Sequence, residues 1–396
     1  MLTGAEFTAA GIRDRVHQFL AVRDPVATPR MDFLHARFDA GLAWVHYPVG
    51  LGGLGAPRAL QPIADAEFAA AGAPDNDPGS NAIGLGMAAP TILAFGSDTQ
   101  RERWLRPLWT GEEIWCQLFS EPGSGSDLAS LSTRAHRDGD EWVVNGQKVW
   151  TSIAQFASFG MLLARTDPDV PKHEGLSYFI CDMHAPGVEV RPLKQITGSS
   201  EFNEVFLNDV RIADSSRVGA VGDGWRCART TLMNERVALA GVSLDPVSFT
   251  GGVRRDPWQS YLEHFSDRSD PLVRQRLAQL YIESEVKEIT AFRANSARLS
   301  GQQPGPEGAV NKVFNAEYNQ RRSNLAVSAN GMGGVAWIPD DSSAEARAQT
   351  FLRARANSIE GGTSEVLRNQ MAERILGLPR DISEKGVSWA QLQRNQ

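Results

Sequence analysis

One glutamate lies on a helix face that is otherwise apolar. In the segment "ARTTLMNERVALAGV", apolar residues recur along one face at Ala228, Leu232, Leu239 and Val242, and Glu235 falls on the same face. The residues three and four positions away include no cation that could pair with it. Burial without a partner disfavours the charged form, so we expect the pKa of Glu235 to rise from about 4.3 toward about 6 or 7, which suits a general base. The alternatives are a surface glutamate and an ion pair with a distant arginine.

A second glutamate, Glu360, precedes the glycine pair in "NSIEGGTSEVLRNQ". Gly361 and Gly362 predict a tight turn, and Thr363 is a good N-cap residue for the helix that follows. The N-terminus of that helix presents unpaired N–H groups, which suit a phosphate or a developing oxyanion. Glu360 is therefore either a base beside this site or a residue that only flanks the turn.

The loop "FSEPGSGSD" combines glycines with small hydroxyl side chains. Gly123 and Gly125 let a ligand approach the backbone closely, while Ser120, Ser124 and Ser126 offer hydroxyls without bulk. Successive backbone N–H groups in such a loop can surround an anion, so a phosphate-bearing cofactor fits. The alternative is a plain Gly/Ser turn.

The segment "KVWTS" places a large aromatic side chain beside two hydroxyl groups. Trp150 offers a flat apolar face, and Thr151 and Ser152 offer hydrogen bonds, a combination that suits a fused heteroaromatic ring such as flavin. An aromatic residue in a β unit is more often part of the core. Both interpretations stay open on the residues alone.

A glycine-rich match to a dinucleotide-binding fingerprint occurs in "GLGGLG". Gly50, Gly52 and Gly55 satisfy G-x-G-x-x-G, but that fingerprint requires a following βαβ unit, and the next segments predict helices. We therefore expect a structural loop here.

Composition excludes several classes of protein. The 396 residues carry a net charge of −7, which disfavours a nucleic-acid partner. No apolar run approaches the length of a membrane-spanning helix and the first residues do not resemble a signal peptide, so a cytoplasmic location without membrane contact is expected. The three cysteines are far apart and predict buried thiols, and neither they nor the seven histidines form a metal-ligand pattern.

The apolar periodicity divides the chain into three units. Residues 1–115 predict helices, residues 116–222 predict short strands, and residues 223–396 predict helices again. Within the middle unit, Asn145-Gly146 in "EWVVNGQKVWTS" predicts a two-residue hairpin turn, because both residue types accept a positive φ.

Three motifs in this order resemble those of the acyl-CoA dehydrogenase family. "SEPGSGSD" is similar to the family's T-E-P-x-A-G-S-D, "NGQKVWTS" to N-G-x-K-x-W-I-T/S, and "GGTSEVLRNQMAERILGLPR" to its E/G-G-T-S-E-I-x-R-N segment. The resemblance covers nearly the whole length. It implies an α+β multidomain fold with an N-terminal helical domain, a middle antiparallel β-barrel and a C-terminal four-helix bundle.

The resemblance also implies a reaction. FAD lies between the β domain and the C-terminal helices, and a carboxylate removes the α-proton of an acyl-CoA while the β-hydrogen leaves to the flavin. The product is a trans-2-enoyl-CoA, and the electrons pass to an electron-transfer flavoprotein.

Site residues follow from the same resemblance. Ser120 and Ser152 are expected to hydrogen-bond the isoalloxazine, Trp150 to pack on it, and Ser126 to contact FAD phosphate or the acyl-CoA. The further FAD contacts expected are Leu118, Gly125, Thr363 and Glu365. A backbone N–H near residue 360 and a ribityl hydroxyl of FAD are expected to polarise the thioester carbonyl.

The resemblance chooses between the two glutamates. Many members place the base immediately before G-T-S, where this chain has Gly361, and Glu360 falls one residue earlier. Other members take the base from a helix motif similar to L-x-x-E-R, and "LMNER" matches it with Glu235. Glu235 is therefore the expected base and Glu360 the alternative, with Arg236 and Gly361 as expected substrate contacts.

Two family segments that reach the FAD of a neighbouring subunit, R-x-x-F-G and Q-x-x-G-G, have no clear match in this sequence. The expected assembly is a homodimer, a homotetramer or a heterotetramer with a related subunit. The chain looks most similar to actinobacterial members, some of which act on steroid side-chain CoA esters. The other functions considered are a non-catalytic partner subunit and an oxygen-using flavoenzyme of the same fold.

Overall fold

The structure is a computed structural model that describes residues 7–239, 258–263, 265, 269–299, 307–336, 342–380 and 386–394. Five N-terminal helices come first: α1 Ala9–Val22, α2 Arg30–Asp39, α3 Gln61–Ala70, α4 Ala89–Phe95 and α5 Asp98–Thr110. Side chains pair with backbone N–H groups at two of the helix starts, as with Thr8 at α1 and the reciprocal Ser97–Gln100 capping box at α5.

The "GLGGLG" segment forms a structural loop before α3. Gly50, Gly52 and Gly55 all have positive φ, and a side chain on Gly52 would collide with the Phe38 ring at 2.6 Å. Within the described residues the strands begin only at Trp115, so the parallel strand-helix-strand unit of a nicotinamide site does not follow this loop.

A mixed sheet of eight strands follows within the described residues. The strands are β1 Trp115–Leu118, β2 Arg134–Asp138, β3 Glu141–Ser152, β4 Phe159–Arg165, β5 Leu176–Asp182, β6 Val188–Leu193, β7 Phe202–Ala213 and β8 Arg217–Val218. Their order is β6-β7-β3-β2-β4-β5-β8, with β1 on β4. The pairs β1–β4 and β2–β4 are parallel, so the sheet is not purely antiparallel as predicted. The segment that joins β1 to β4 contains two further strands. A connection of this length allows β1 and β4 to pair in parallel.

The predicted hairpin turn at Asn145-Gly146 is wrong. β3 runs through both residues and pairs with β7, and the register shifts between Val144 and Gly146 mark an irregularity instead of a turn. The reversal between β2 and β3 lies one segment earlier, around Gly139, whose φ is +63°.

Close packing explains the glycine at position 146. A Cβ on Gly146 would lie 2.3 Å from the Thr133 hydroxyl oxygen. Asn145 exchanges hydrogen bonds with Asp209 across the strands, the side-chain amide donating to its carboxylate at 2.9 Å and the Asp209 backbone N–H donating back at 3.0 Å. The Asn-Gly pair therefore serves strand contacts here.

The last part of the chain is helical again. Its helices are α6 Gly224–Leu239, α7 Trp258–Glu263, α8 Pro271–Leu299, α9 Glu307–Ser328, α10 Gly331–Val335, α11 Ser342–Arg353, α12 Ser364–Arg374 and α13 Trp389–Arg394. Helix α9 packs against α6, α8, α11 and α12, as the central member of a bundle does. The predicted order of helices, β unit and helical bundle is confirmed. The boundaries at residues 115 and 222 stay a prediction.

Strand β4 is buried on both faces of the sheet. On β4, Met161 and Leu163 pack with the N-terminal helices and α6, while Leu162 and Ala164 pack on the opposite face with residues of the other strands. This two-sided burial explains why "FGMLLA" is continuously apolar. None of the described helices is long and apolar enough to cross a membrane.

Helix α13 returns to the β unit. The Trp389 indole N–H donates to the Ser130 carbonyl at 3.2 Å, and the Arg165 guanidinium lies 4.5 Å from the Trp389 ring centre. Arg165 also donates to the carbonyls of Ala129 and Leu131 at 2.6 and 3.2 Å. The C-terminal segment thus packs beside the end of the Gly/Ser loop.

Candidate active site

Glu235 lies on α6 where this helix meets the sheet and α9. Ala228 is fully buried and Leu232 packs on the core, as the apolar stripe predicts; the Leu239 side chain and Val242 lie outside the described residues. Glu235 itself is half-buried, and the Gln117 side-chain amide on β1 donates to its carboxylate at 3.4 Å. The side chain of Arg236 also lies outside the described residues.

A buried hydroxyl cluster positions α6 one turn before Glu235. The Thr231 hydroxyl is within 2.9 Å of the Thr91 hydroxyl and 3.1 Å of the Tyr178 hydroxyl, and it donates to the Cys227 carbonyl at 3.2 Å. These bonds join α6 to α4 and β5. The rotation of α6, and with it the direction of Glu235, is therefore set by packing on two sides.

A buried cation from another helix interacts with the charge of Glu235. Lys312 on α9 is 4% exposed, and Glu235 is one of three carboxylates whose charges act on it. The sequence observation that no cation lies three or four residues from Glu235 concerns α6 alone, because periodicity along one helix carries no information about a neighbouring helix.

Glu360 is held by two partners. Its carboxylate accepts from the Arg353 guanidinium at 2.7 Å and from the Asn357 amide at 2.6 Å, one on each oxygen. Hydrogen bonds of this kind fix the direction of the carboxylate. A carboxylate whose two oxygens are both engaged is poorly placed to take a proton from a substrate.

The glycine turn after Glu360 forms as predicted. Gly361 and Gly362 have φ of +61° and +92°, which a side chain would disfavour. Lys312 donates to the Gly362 carbonyl at 2.6 Å. The Thr363 hydroxyl accepts from the Val366 N–H at 3.2 Å and caps α12, so the predicted cap is confirmed.

The Gly/Ser loop "FSEPGSGSD" forms a tight turn with exposed residues after it. Glu121 and Ser124 exchange two backbone hydrogen bonds of 3.0 Å, and the Ser124 hydroxyl donates within the loop to the Asp127 carbonyl at 2.6 Å. Gly125 is exposed, and a Cβ there would meet nothing within 4 Å. Ser126 is also exposed. The loop thus presents Gly125 and Ser126 toward open space, where a ligand can reach the backbone.

A buried ion pair holds the base of this loop. The Lys148 ammonium donates to the Glu121 carboxylate at 2.8 Å, and to the carbonyls of Phe119 and Leu163 at 3.0 and 2.9 Å. Burial lowers the pKa of Lys148, and the charge of Glu121 opposes that shift. Burial alone would raise the pKa of Glu121, but the Lys148 charge and hydrogen bonds outweigh it, so its pKa lies below the ordinary value.

Trp150 is not a core residue. Its side chain is 60% exposed and its φ is +60°, an uncommon conformation for a bulky residue. It sits in the second register shift of β3, and the preceding Val149 N–H donates to the Ser120 carbonyl at 2.8 Å. The structure therefore brings Trp150, Ser120 and the half-buried Ser152 together near the C-terminal end of β3.

Other predicted site residues are placed less directly. Leu118 is fully buried on β1. The Glu365 side chain is 78% exposed and lies 4.0 Å from Arg368. The three cysteines are free and buried, as predicted, and burial raises the pKa of Cys227 to about 12. No group of acidic, His or Cys side chains suited to a metal occurs among the described residues.

A separate cavity of about 640 Å³ lies between the β6–β7 loop and helices α9 and α11. Its cationic wall comprises Arg322, Arg347 and Arg353. The Arg353 guanidinium lies 5.9 Å from the Phe202 ring centre, and that ring meets the Trp150 ring edge-on, also at 5.9 Å. Glu235 does not line this cavity. Arg353 and Asn357, the partners of Glu360, do line it.

Three family models match consecutive parts of the chain. The acyl-CoA dehydrogenase N-terminal domain matches residues 5–112, the middle domain residues 116–210 and the C-terminal domain residues 222–376. The chain belongs to the acyl-CoA dehydrogenase family. It is an oxidoreductase of that class, and its cofactor is FAD.

Known relatives agree with this assignment. Acyl-CoA dehydrogenase FadE34 of Mycobacterium tuberculosis is 42% identical, over 94% of this chain but only 49% of the relative, so the chain spans about half the length of that protein. Acyl-CoA dehydrogenase IpdE1 of the same organism is 39% identical over 86% of each chain. The solved structure named Tcur3481-Tcur3483 steroid ACAD has a TM-score of 0.72 at 26% identity, covering 96% of this chain and 99% of the other.

Proposed function

We propose that this protein converts an acyl-CoA thioester to a trans-2-enoyl-CoA, with Glu235 as the base that removes the α-proton. The observation that carries the assignment is the position of Glu235 in the fold, together with the bonding of Glu360. Glu235 is half-buried at the junction of α6, β1 and α9, where the Gln117 amide donates to it at 3.4 Å. Both oxygens of Glu360 are occupied by Arg353 and Asn357.

The residues near the C-terminal end of β3 suit an isoalloxazine ring. Trp150 presents an exposed aromatic face in a strained backbone conformation, as residues held for ligand contact often do. Ser120 and Ser152 supply hydrogen-bonding groups beside it, and the open backbone at Gly125 and Ser126 suits phosphate. When bound, FAD supplies the acceptor for two electrons and the β-hydrogen of the acyl chain. Leu118, Thr363 and Glu365 are the proposed further contacts.

The protein's own residues prepare the thioester for proton loss. The glycine turn at Gly361 and Gly362 places backbone N–H groups beside the start of α12, whose positive end favours charge on the thioester oxygen. Removal of the α-proton by Glu235 leaves negative charge on that oxygen, which these groups stabilise. Arg236, Gly361 and Ser126 are the proposed substrate contacts.

Acceptor, assembly and substrate class belong to the same proposal. We infer that an electron-transfer flavoprotein reoxidises the enzyme and that the chain assembles with a second subunit, either a copy or a related chain. The similar solved structure is named Tcur3481-Tcur3483 steroid ACAD. The two components in that name support a heteromeric enzyme, and the word steroid supports a steroid-derived acyl-CoA as substrate. The proposed domains are residues 1–115, 116–222 and 223–396, and a cytoplasmic location is expected.

Anaerobic titration with acyl-CoA thioesters tests this function. Purified protein saturated with FAD is mixed with straight-chain, branched and steroid side-chain acyl-CoAs while the visible flavin absorbance is recorded. We expect bleaching by at least one of them and formation of the 2-enoyl-CoA. Protein that remains colourless with added FAD would identify a non-catalytic partner subunit, and rapid reoxidation by oxygen would identify an oxidase.

A further inference from the structure

Lys312 is a buried lysine with no role in the function described so far. It is 4% exposed on α9, next to the apolar cluster of Ala309, Val313 and Leu367. Lysines are rarely buried to this extent unless their charge is satisfied. Its ammonium donates to the Gly362 carbonyl at 2.6 Å, a short charge-assisted bond. The lysine therefore connects the interior of the bundle to the glycine turn.

The glycine turn is held on both of its sides. Glu360 precedes the turn and is fixed by Arg353 and Asn357, while Lys312 fixes the carbonyl of Gly362 at its far end. Two successive glycines have the largest backbone freedom of any dipeptide, so external bonds must define their conformation. Lys312 thereby determines the directions of the peptide groups between Glu360 and Thr363.

Three carboxylates act on the charge of Lys312, and one of them is the candidate base. Burial lowers the pKa of Lys312, and the charges of Glu360, Glu365 and Glu235 raise it, in that order of strength. Glu360 is already paired with Arg353, and the Glu365 side chain is 78% exposed, where water screens it. Tyr178, a titratable group of β5 that packs on α6, is hydrogen-bonded to Thr231.

We propose that Lys312 is a positioning residue for the dehydrogenation: it fixes the Gly361–Gly362 turn that receives the thioester oxygen, and its charge favours the ionised form of Glu235. This inference rests on the proposed function. Loss of the cation removes a favourable interaction with the carboxylate, so Glu235 binds its proton at higher pH. Loss of the hydrogen bond also releases the turn, which lowers the rate of proton removal even where Glu235 is ionised.

Rapid-reaction reduction of the FAD-loaded enzyme by a saturating acyl-CoA tests the proposal across a pH series. For Lys312→Met we expect a rate constant at least tenfold lower and an acid limb displaced to higher pH, with the FAD content unchanged. Lys312→Arg keeps a cation and a donor and should recover most of the rate. Lys312→Gln, which keeps a neutral donor, serves if Lys312→Met does not fold, and should show the displaced limb.

Lys287→Met on α8 is the matched control. Lys287 is also partly buried, with its ammonium 5.3 Å from the Tyr318 ring centre, but has no contact with the turn in the described part of the chain. We expect no displacement of its acid limb. Wild-type rate and limb in both Lys312→Met and Lys312→Gln would overturn the inference. If those variants are normal while Glu235→Gln is inactive, only this inference fails; if Glu235→Gln is fully active, the proposed base itself fails.

Discussion

The two candidate glutamates differ in what surrounds them more than in sequence context. Glu235 lies in "LMNER", which matches one family position of the base, whereas Glu360 lies one residue before the other family position, and periodicity also favours Glu235 because it interrupts an apolar stripe. In the structure, Glu360 is bonded to Arg353 and Asn357. Arg353 lies seven residues before Glu360, across turns and a 3₁₀ helix at Ala356–Ser358, and the helical spacing rules do not predict their contact.

The motif that contains Lys148 specifies a lysine at this position but does not indicate what that lysine contacts. The residue lies inside "NGQKVWTS", yet its partners come from two other segments, Phe119 and Glu121 from the Gly/Ser loop and Leu163 from β4. The pairing depends on the sheet order, which the sequence pattern does not define. Its full burial makes it the side chain through which the Gly/Ser loop is tied to the sheet.

Removing this cation should destabilise the protein strongly. Lys148→Met leaves the Glu121 carboxylate buried without its cation, and we expect a loss of about 3–5 kcal/mol in the free energy of unfolding. Chemical denaturation measures it. Lys172→Met is the control, because Lys172 pairs with Asp127 at a site where the side chains are 27% and 58% exposed, and we expect about 1 kcal/mol or less there. Equal losses in the two variants would show that burial of the Lys148–Glu121 pair is not what matters.

Among the elements, β3 shows how the same residue pair can serve two structures. Asn-Gly predicts a hairpin from local conformation alone, but in this chain Gly146 is required by the approach of Thr133 and Asn145 by its contact with Asp209. Those partners are distant in sequence. By contrast, the prediction of Thr363 as the cap of α12 is correct, because capping depends only on the next few residues.

Helix α12 also shows a limit of periodicity. Leu367 is 1% exposed, as its place on the predicted apolar stripe requires, but Ile375 on the same stripe is 46% exposed. Ile375 is the C-cap residue, so the helix ends where the stripe would have continued. A helical pattern predicts which residues share a face, and the end of the helix decides which of them are covered.

Adding one methyl group to β3 tests the close approach at Gly146. Gly146→Ala places a Cβ 2.3 Å from the Thr133 hydroxyl oxygen, and we expect a loss of about 1–3 kcal/mol in the free energy of unfolding from overpacking. Gly308→Ala on α9 is matched, because its Cβ would meet nothing within 4 Å, and alanine favours a helix. Unchanged stability of Gly146→Ala in thermal unfolding would show that the strands can separate at no cost.

At the scale of the whole molecule, the candidate site is built from all three parts of the sequence. The hydroxyl cluster of Thr91, Tyr178 and Thr231 joins an N-terminal helix, the sheet and α6 directly behind Glu235. The order of these parts is predictable from the changes in apolar periodicity, and the motifs indicate the family. The contacts between the parts are not, because periodicity describes one element at a time. Lys312 is the clearest example, since its partner Gly362 is fifty residues away.

Two glutamine variants of the assembled enzyme decide whether Glu235 removes the α-proton. FAD-loaded Glu235→Gln and Glu360→Gln are compared with the wild type in anaerobic reduction by a thioester that bleaches the wild-type flavin. We predict that Glu235→Gln keeps its FAD and loses about a hundredfold or more in rate, and that Glu360→Gln loses much less. Wild-type bleaching by Glu235→Gln together with an inactive Glu360→Gln would refute this role of Glu235 and assign proton removal to Glu360.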